Sequence, residues 1–137
     1  MILVDTCVLS ESFRKASKPS KFSEEVAFFK QMVAEDWPIA IPGIVFQEFL
    51  TGVKTDKVLR TAMLAVEGFP LVLADEEDHI LASRIRSQCL SKGVSAHGID
   101  CLIAATAINR NYRLLTFDDD FVSIAKVCHL KMFQLGR

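Results

Sequence analysis

Short apolar runs alternate with longer amphipathic stretches along this chain. Residues 1–4, 37–41, 69–73, 113–116 and 131–135 are short runs dominated by Val, Ile, Leu and Phe, of the kind that pack as buried strands. Between them the apolar positions recur at helical spacing. Val26, Phe29, Met32 and Val33 mark a helix opened by Ser23-Glu24-Glu25, and further helices are predicted from about Thr6, over 44–53, 55–67, 75–92 and 99–109, and over 118–126. Asp75-Glu76-Glu77 places negative charge where a helix N-terminus favours it, and Lys92-Gly93 ends that helix. Residues 14–21 are polar and contain a proline, which marks a surface loop. Strands alternating with helices predict an α/β fold with a central, mostly parallel sheet of four to five strands covered on both faces. No repeat, low-complexity tract or linker interrupts residues 1–137, so a single domain is expected.

In such a sheet, ligands bind beyond the carboxyl ends of the strands. Asp5 and Asp118 each follow a predicted strand there, while Glu48 and Asp100 interrupt otherwise apolar helical segments near surface turns. Four acids remote in sequence can therefore meet at one edge. Two carboxylates about 4 Å apart repel by roughly 4 kcal/mol at an effective dielectric near 20, and a divalent cation relieves that cost. Hard oxygen donors suit Mg²⁺ or Mn²⁺. The plainer alternatives are helix N-caps for Asp5 and Asp118 and satisfied buried hydrogen bonds for Glu48 and Asp100. Asp119 and Asp120 read as first-turn enrichment of their helix.

Composition narrows the field without choosing within it. The formal net charge is −1, from 16 basic and 17 acidic residues, so any nucleic-acid surface must be local. Cys7, Cys89, Cys101 and Cys128 lack zinc-ligand spacing, and a reduced, cytoplasmic protein with no signal peptide or membrane span is expected. Arg14, Lys15, Lys18 and Lys21 form the densest basic stretch and are the candidate phosphate contacts, with Lys54, Lys57 and Arg60 a second patch. His97 reads as a turn histidine, and His79 and His129 belong to no constellation. Phe22, Phe28, Phe29, Phe46 and Phe49 read as core or as a partner groove rather than as base-stacking surfaces. An aspartyl phosphatase would want a second acid two residues after Asp5, where Cys7 stands. A phosphorylated receiver would want an acid where Pro42-Gly43 follows the second strand.

The motifs around the four acids resemble those of the PIN-domain family. Met1-Ile2-Leu3-Val4-Asp5-Thr6-Cys7-Val8 is similar to its opening strand and Asp-Thr pair. Phe46-Gln47-Glu48-Phe49-Leu50 resembles its second motif, Gly98-Ile99-Asp100-Cys101-Leu102-Ile103 its third, and Leu115-Thr116-Phe117-Asp118-Asp119-Asp120-Phe121 its fourth. Cys7 stands where Ser or Asn is commoner, and Phe117 where a basic residue often lies. Length and the Ser10-Glu11…Arg14 continuation are most similar to VapC toxins, in particular the FitB-like branch. The resemblance implies a PIN-like three-layer α/β/α sandwich and a Mg²⁺- or Mn²⁺-dependent endoribonuclease that hydrolyses RNA through activated water. It makes Asp5, Glu48, Asp100 and Asp118 the catalytic and metal-binding residues, with Thr6 and Thr116 orienting them. It also implies a cognate antitoxin, a homodimer, and alternatives within the same fold: an RNA-processing nuclease outside a toxin–antitoxin module, or a non-catalytic binding module.

Overall fold

The computed structural model describes residues 1–13 and 20–133. Its chain order is β1 (Ile2–Val4), α1 (Thr6–Ser12), α2 (Ser23–Ala34), β2 (Ile39–Pro42), α3 (Gly43–Leu50), α4 (Asp56–Val66), β3 (Leu71–Val72), α5 (Glu76–Ser91), α6 (Gly98–Arg110), β4 (Arg113–Leu115), α7 (Asp120–Ala125) and β5 (Lys131–Met132). The strands form one five-stranded sheet in the order β3-β2-β1-β4-β5, with every pairing parallel. Helices cover the sheet as a PIN-like α/β/α sandwich.

β1 is central and wholly buried, which is why its sequence is a continuous apolar run rather than an alternating one. Ile2 faces Ile39 on one side and Arg113 on the other, and Val4 faces Leu115. The Asp5 N–H extends this ladder by donating to the Leu115 carbonyl at 3.3 Å. The chain runs from β1 outward through β2 to β3, then crosses back to β4 on the opposite side. The strand order therefore reverses between β1 and β4, the place where open parallel sheets form a binding crevice beyond the strands' carboxyl ends.

The outer strands are shorter than the apolar runs predict. β3 and β5 are edge strands of two residues each, and edge pairing needs only one neighbour. Residues 134–137 lie outside the described residues. β2 begins at Ile39 instead of residue 37, because Trp37 is drawn into an edge-on aromatic group with Phe28 and Phe133. Gly43 opens α3 directly after β2. A Cβ there would meet only the tip of the exposed Leu73 side chain at 2.9 Å, which a rotation of Leu73 relieves.

α5 and α6 pack together around a buried ion pair that periodicity alone did not reveal. Asp78, with none of its surface exposed, accepts from Arg110 Nη1 and Asn109 Nδ2, each at 2.9 Å. It also completes a capping box with Asp75. Burial would raise the Asp78 carboxyl, but the Arg110, Asp75 and Asn109 donors hold it at about 2.

Candidate active site

β1 delivers Asp5 to the crevice, and α1 begins immediately after it. Asp5 is 4% exposed and serves as the N-cap of α1, accepting from the Val8 N–H at 3.4 Å. Its Oδ1 also accepts from the Cys7 thiol at 2.8 Å, and its Oδ2 from the Thr116 hydroxyl at 2.5 Å. Both oxygens are therefore oriented by side chains. Burial raises the Asp5 carboxyl; the Cys7, Thr116 and Val8 donors oppose this, and the charge of Asp118 adds to the rise.

β4 delivers the second group. After Leu115 the chain turns through Thr116, whose Oγ1 accepts from the Asp118 N–H at 3.0 Å while donating to Asp5. Asp118 Oδ1 in turn accepts from the Asp120 N–H at 2.9 Å as Asp120 opens α7, and the Asp120 carboxylate lies near those of Asp118 and Asp100. Cys7 closes the loop: the Phe117 N–H donates to its sulfur at 3.3 Å. Burial, then the negative charge of Asp5, pushes the Cys7 thiol far above its ordinary range. It stays protonated and acts as a donor.

α6 brings Asp100 in its first turn. Among the described residues, Asp100, Asp118 and Asp120 offer carboxylate oxygens that all lie within 4.8 Å of one another. Burial pushes the half-buried Asp100 carboxyl up to about 6; Asp118, Asp5 and Asp120 push the same way, and His97 at the helix N-cap opposes them. The all-oxygen donor set of this trio suits a hard divalent cation.

Glu48 sits apart from the trio, on α3. Its Oε1 accepts from the Thr6 hydroxyl at 2.7 Å, which ties α3 to the residue next to Asp5. The side chain is half-buried. Lys21 is exposed, with its ammonium 4.9 Å from the centre of the Phe22 ring. Arg14, Lys15 and Lys18 lie outside the described residues.

Two members of the site are absent from the sequence-based set. Asp120 is a member of the converging trio as well as a helix-start acid, and the signal for it was the Asp118-x-Asp120 spacing after a strand. Cys7 is a donor to Asp5, which its position two residues beyond that acid allows within the first turn of α1.

The PIN domain family model matches residues 2–127. Ribonuclease VapC11 of Mycobacterium tuberculosis is 32% identical over 139 residues, covering 96% of this chain and 96% of that protein. Ribonuclease VapC1 of Methanocaldococcus jannaschii is 30% identical over 132 residues, covering 96% of this chain and 86% of that protein. The crystal structure of FitAcB from Neisseria gonorrhoeae superposes with a TM-score of 0.75 at 23% identity, over 98% of this chain and 97% of that one. With its opening Asp-Thr pair, its helical Glu48 and Asp100 and its strand-end Asp118 in the family's order, the chain belongs to the PIN-domain family, among the relatives of VapC.

Proposed function

We propose that this protein is a Mg²⁺- or Mn²⁺-dependent endoribonuclease, a single domain over 1–137, and the cytoplasmic toxin of a VapBC-type toxin–antitoxin pair. One observation supports this: Asp100 on α6 and Asp118 and Asp120 in the β4–α7 turn offer carboxylate oxygens within 4.8 Å of one another, and Thr116 links that turn to Asp5 at the end of β1. Asp5, Asp100 and Asp118, joined by Asp120, would hold the ion, and Glu48 completes the acidic rim. A divalent ion bound there supplies charge neutralisation, an activated water and stabilisation of the leaving oxygen.

The chain's own part is positioning. Cys7 and Thr116 fix the two oxygens of Asp5, and Thr6 fixes Glu48 so that it can orient the attacking water. Water oxygen attacks phosphorus, the bond to the 3′ oxygen breaks, and a proton passes to that oxygen. The products carry a 5′-phosphate and a 3′-hydroxyl. A carboxylate–metal site needs no imidazole base, and His97 is exposed and does not cap α6 with its side chain.

Support for a protein partner comes from neighbours of the same fold that are toxin–antitoxin complexes. Support also comes from an apolar groove of about 460 Å³ lined by Phe46, Met63, Leu64, Val66, Phe69 and Leu71, with Arg60 and Glu67 at its rim. Leu64 is 70% exposed there. Such surface suits an antitoxin or a second copy. None of the described helices is long and apolar enough to cross a membrane.

Purified protein should cleave single-stranded RNA in Mg²⁺ or Mn²⁺, stop in EDTA, and lose activity in Asp5→Ala and Asp100→Asn. Sequencing of RNA ends after induced expression, with the Asp5 variant alongside, identifies the target. Variants that cut as well as wild type would refute the assignment.

A further inference from the structure

The Phe22 ring is placed where neither helix stability nor the core requires it. It occupies the N-cap of α2 and makes no side-chain cap, a position where Ser, Thr, Asp or Asn is preferred. Phe28 and Phe29 of the same helix pack on the core, whereas Phe22 stays half-exposed outside that cluster. Its partner is Phe117, with ring centroids 5.2 Å apart and planes 26° apart, an offset stack. Lys21 sets its ammonium over the same Phe22 ring.

Phe117 connects this stack to the acidic site. It lies between Thr116, which grips Asp5, and Asp118, whose Cα is about 3.8 Å along the chain. Its own N–H donates to the Cys7 sulfur, which anchors its backbone beside Asp5, and its ring stacks on Phe22. We infer that Lys21, Phe22 and Phe117 form a platform for RNA: Lys21 leaves the Phe22 ring to meet a flanking phosphate, and an unpaired nucleobase near the scissile phosphate stacks on the ring face it vacates.

This rests on the ribonuclease assignment above and extends it to how the substrate is held. Aromatic faces next to a cation are the usual means of gripping single-stranded RNA, and such stacking tolerates any base. A protein side chain could occupy the same stack, but Phe117 adjoins Asp118 in sequence, so RNA that reaches Asp118 comes near these rings. Weak base preference and a requirement for unpaired RNA follow.

The test uses a short single-stranded RNA oligonucleotide carrying 2-aminopurine at successive positions, bound to Asp100→Asn protein. Fluorescence quenching is expected at one or two adjacent positions. Phe22→Leu should abolish it and weaken binding about tenfold, while Phe22→Trp should retain it. Lys21→Gln should reduce the salt dependence of binding by about one phosphate contact. With Asp100 intact, Phe22→Leu should raise KM far more than it lowers kcat, and should keep the Mg²⁺-induced rise in melting temperature. Unchanged quenching and KM in Phe22→Leu would overturn the platform while leaving the ribonuclease assignment standing. So would loss of antitoxin binding with RNA affinity intact, which assigns the stack to a protein partner. If wild type neither binds nor cuts RNA in Mg²⁺, the ribonuclease assignment itself falls.

Discussion

Replacing Asp100 by Asn should stabilise the metal-free protein, although it destroys the activity. The folded state holds the Asp100 carboxyl at about 6 against an ordinary 3.8, through burial first and then through Asp118, Asp5 and Asp120. Ionising it in the fold therefore costs about 3 kcal/mol, at 1.36 kcal/mol per pH unit. Half-burial leaves water to screen part of this, so about 1–2 kcal/mol is the expected gain from the neutral isostere. The sign follows from linkage. For an acid whose folded value is raised, the stability is fully present below pH 3.8 and is lost as pH rises through about 6. The variant and wild type should thus melt alike near pH 4, and the variant should melt about 3–8 °C higher at pH 7.5. Thermal melts in EDTA across this range are the assay. Adding Mg²⁺ should then stabilise wild type by mass action, about 1.4 kcal/mol at ten times the dissociation constant, and leave the variant unmoved. A metal-free variant that melts below wild type at pH 7.5, or a gap independent of pH, would show that these carboxylates do not crowd one another.

Other outcomes follow from the same structure. Thr116→Val removes the donor to Asp5 Oδ2, and should weaken Mn²⁺ affinity and activity about 10- to 100-fold, measured by calorimetric titration. Cys7→Ser should keep the donor to Asp5, whereas Cys7→Val should lose it at about 1–3 kcal/mol, read from urea unfolding. Asp78→Ala removes the buried acceptor of the partly exposed Arg110 guanidinium, which keeps the Thr106 and Leu73 carbonyls, and should cost about 1–3 kcal/mol with no change in metal affinity. In wild type, the lowered Asp78 value contributes about 2 kcal/mol that is present above pH 3.8 and disappears as pH falls through about 2, visible in acid-unfolding curves.

The order of strands and helices was legible from the chain because each signal is local. A buried parallel strand such as Ile2–Val4 must be apolar on both faces, and α2 and α5 declare their starts by acidic first turns. The strand-end acids Asp5 and Asp118 could be placed for the same reason, since parallel strands all point their carboxyl ends one way. What the chain could not state was distance. Only the β1–β4 pairing sets Thr116 against Asp5, and only the turn into α7 folds Asp120 back toward Asp100. Asp120 reads locally as a helix-start acid, Cys7 as a replacement for the commoner Ser or Asn, and Phe22 as core or part of a partner groove. Phe22 and Cys7 meet Phe117 from more than ninety residues away, and Asp120 meets Asp100 across the whole of α6 and β4. Side-chain type and period are written in the sequence; which oxygens share a space is decided by long-range packing of the sheet and its helices.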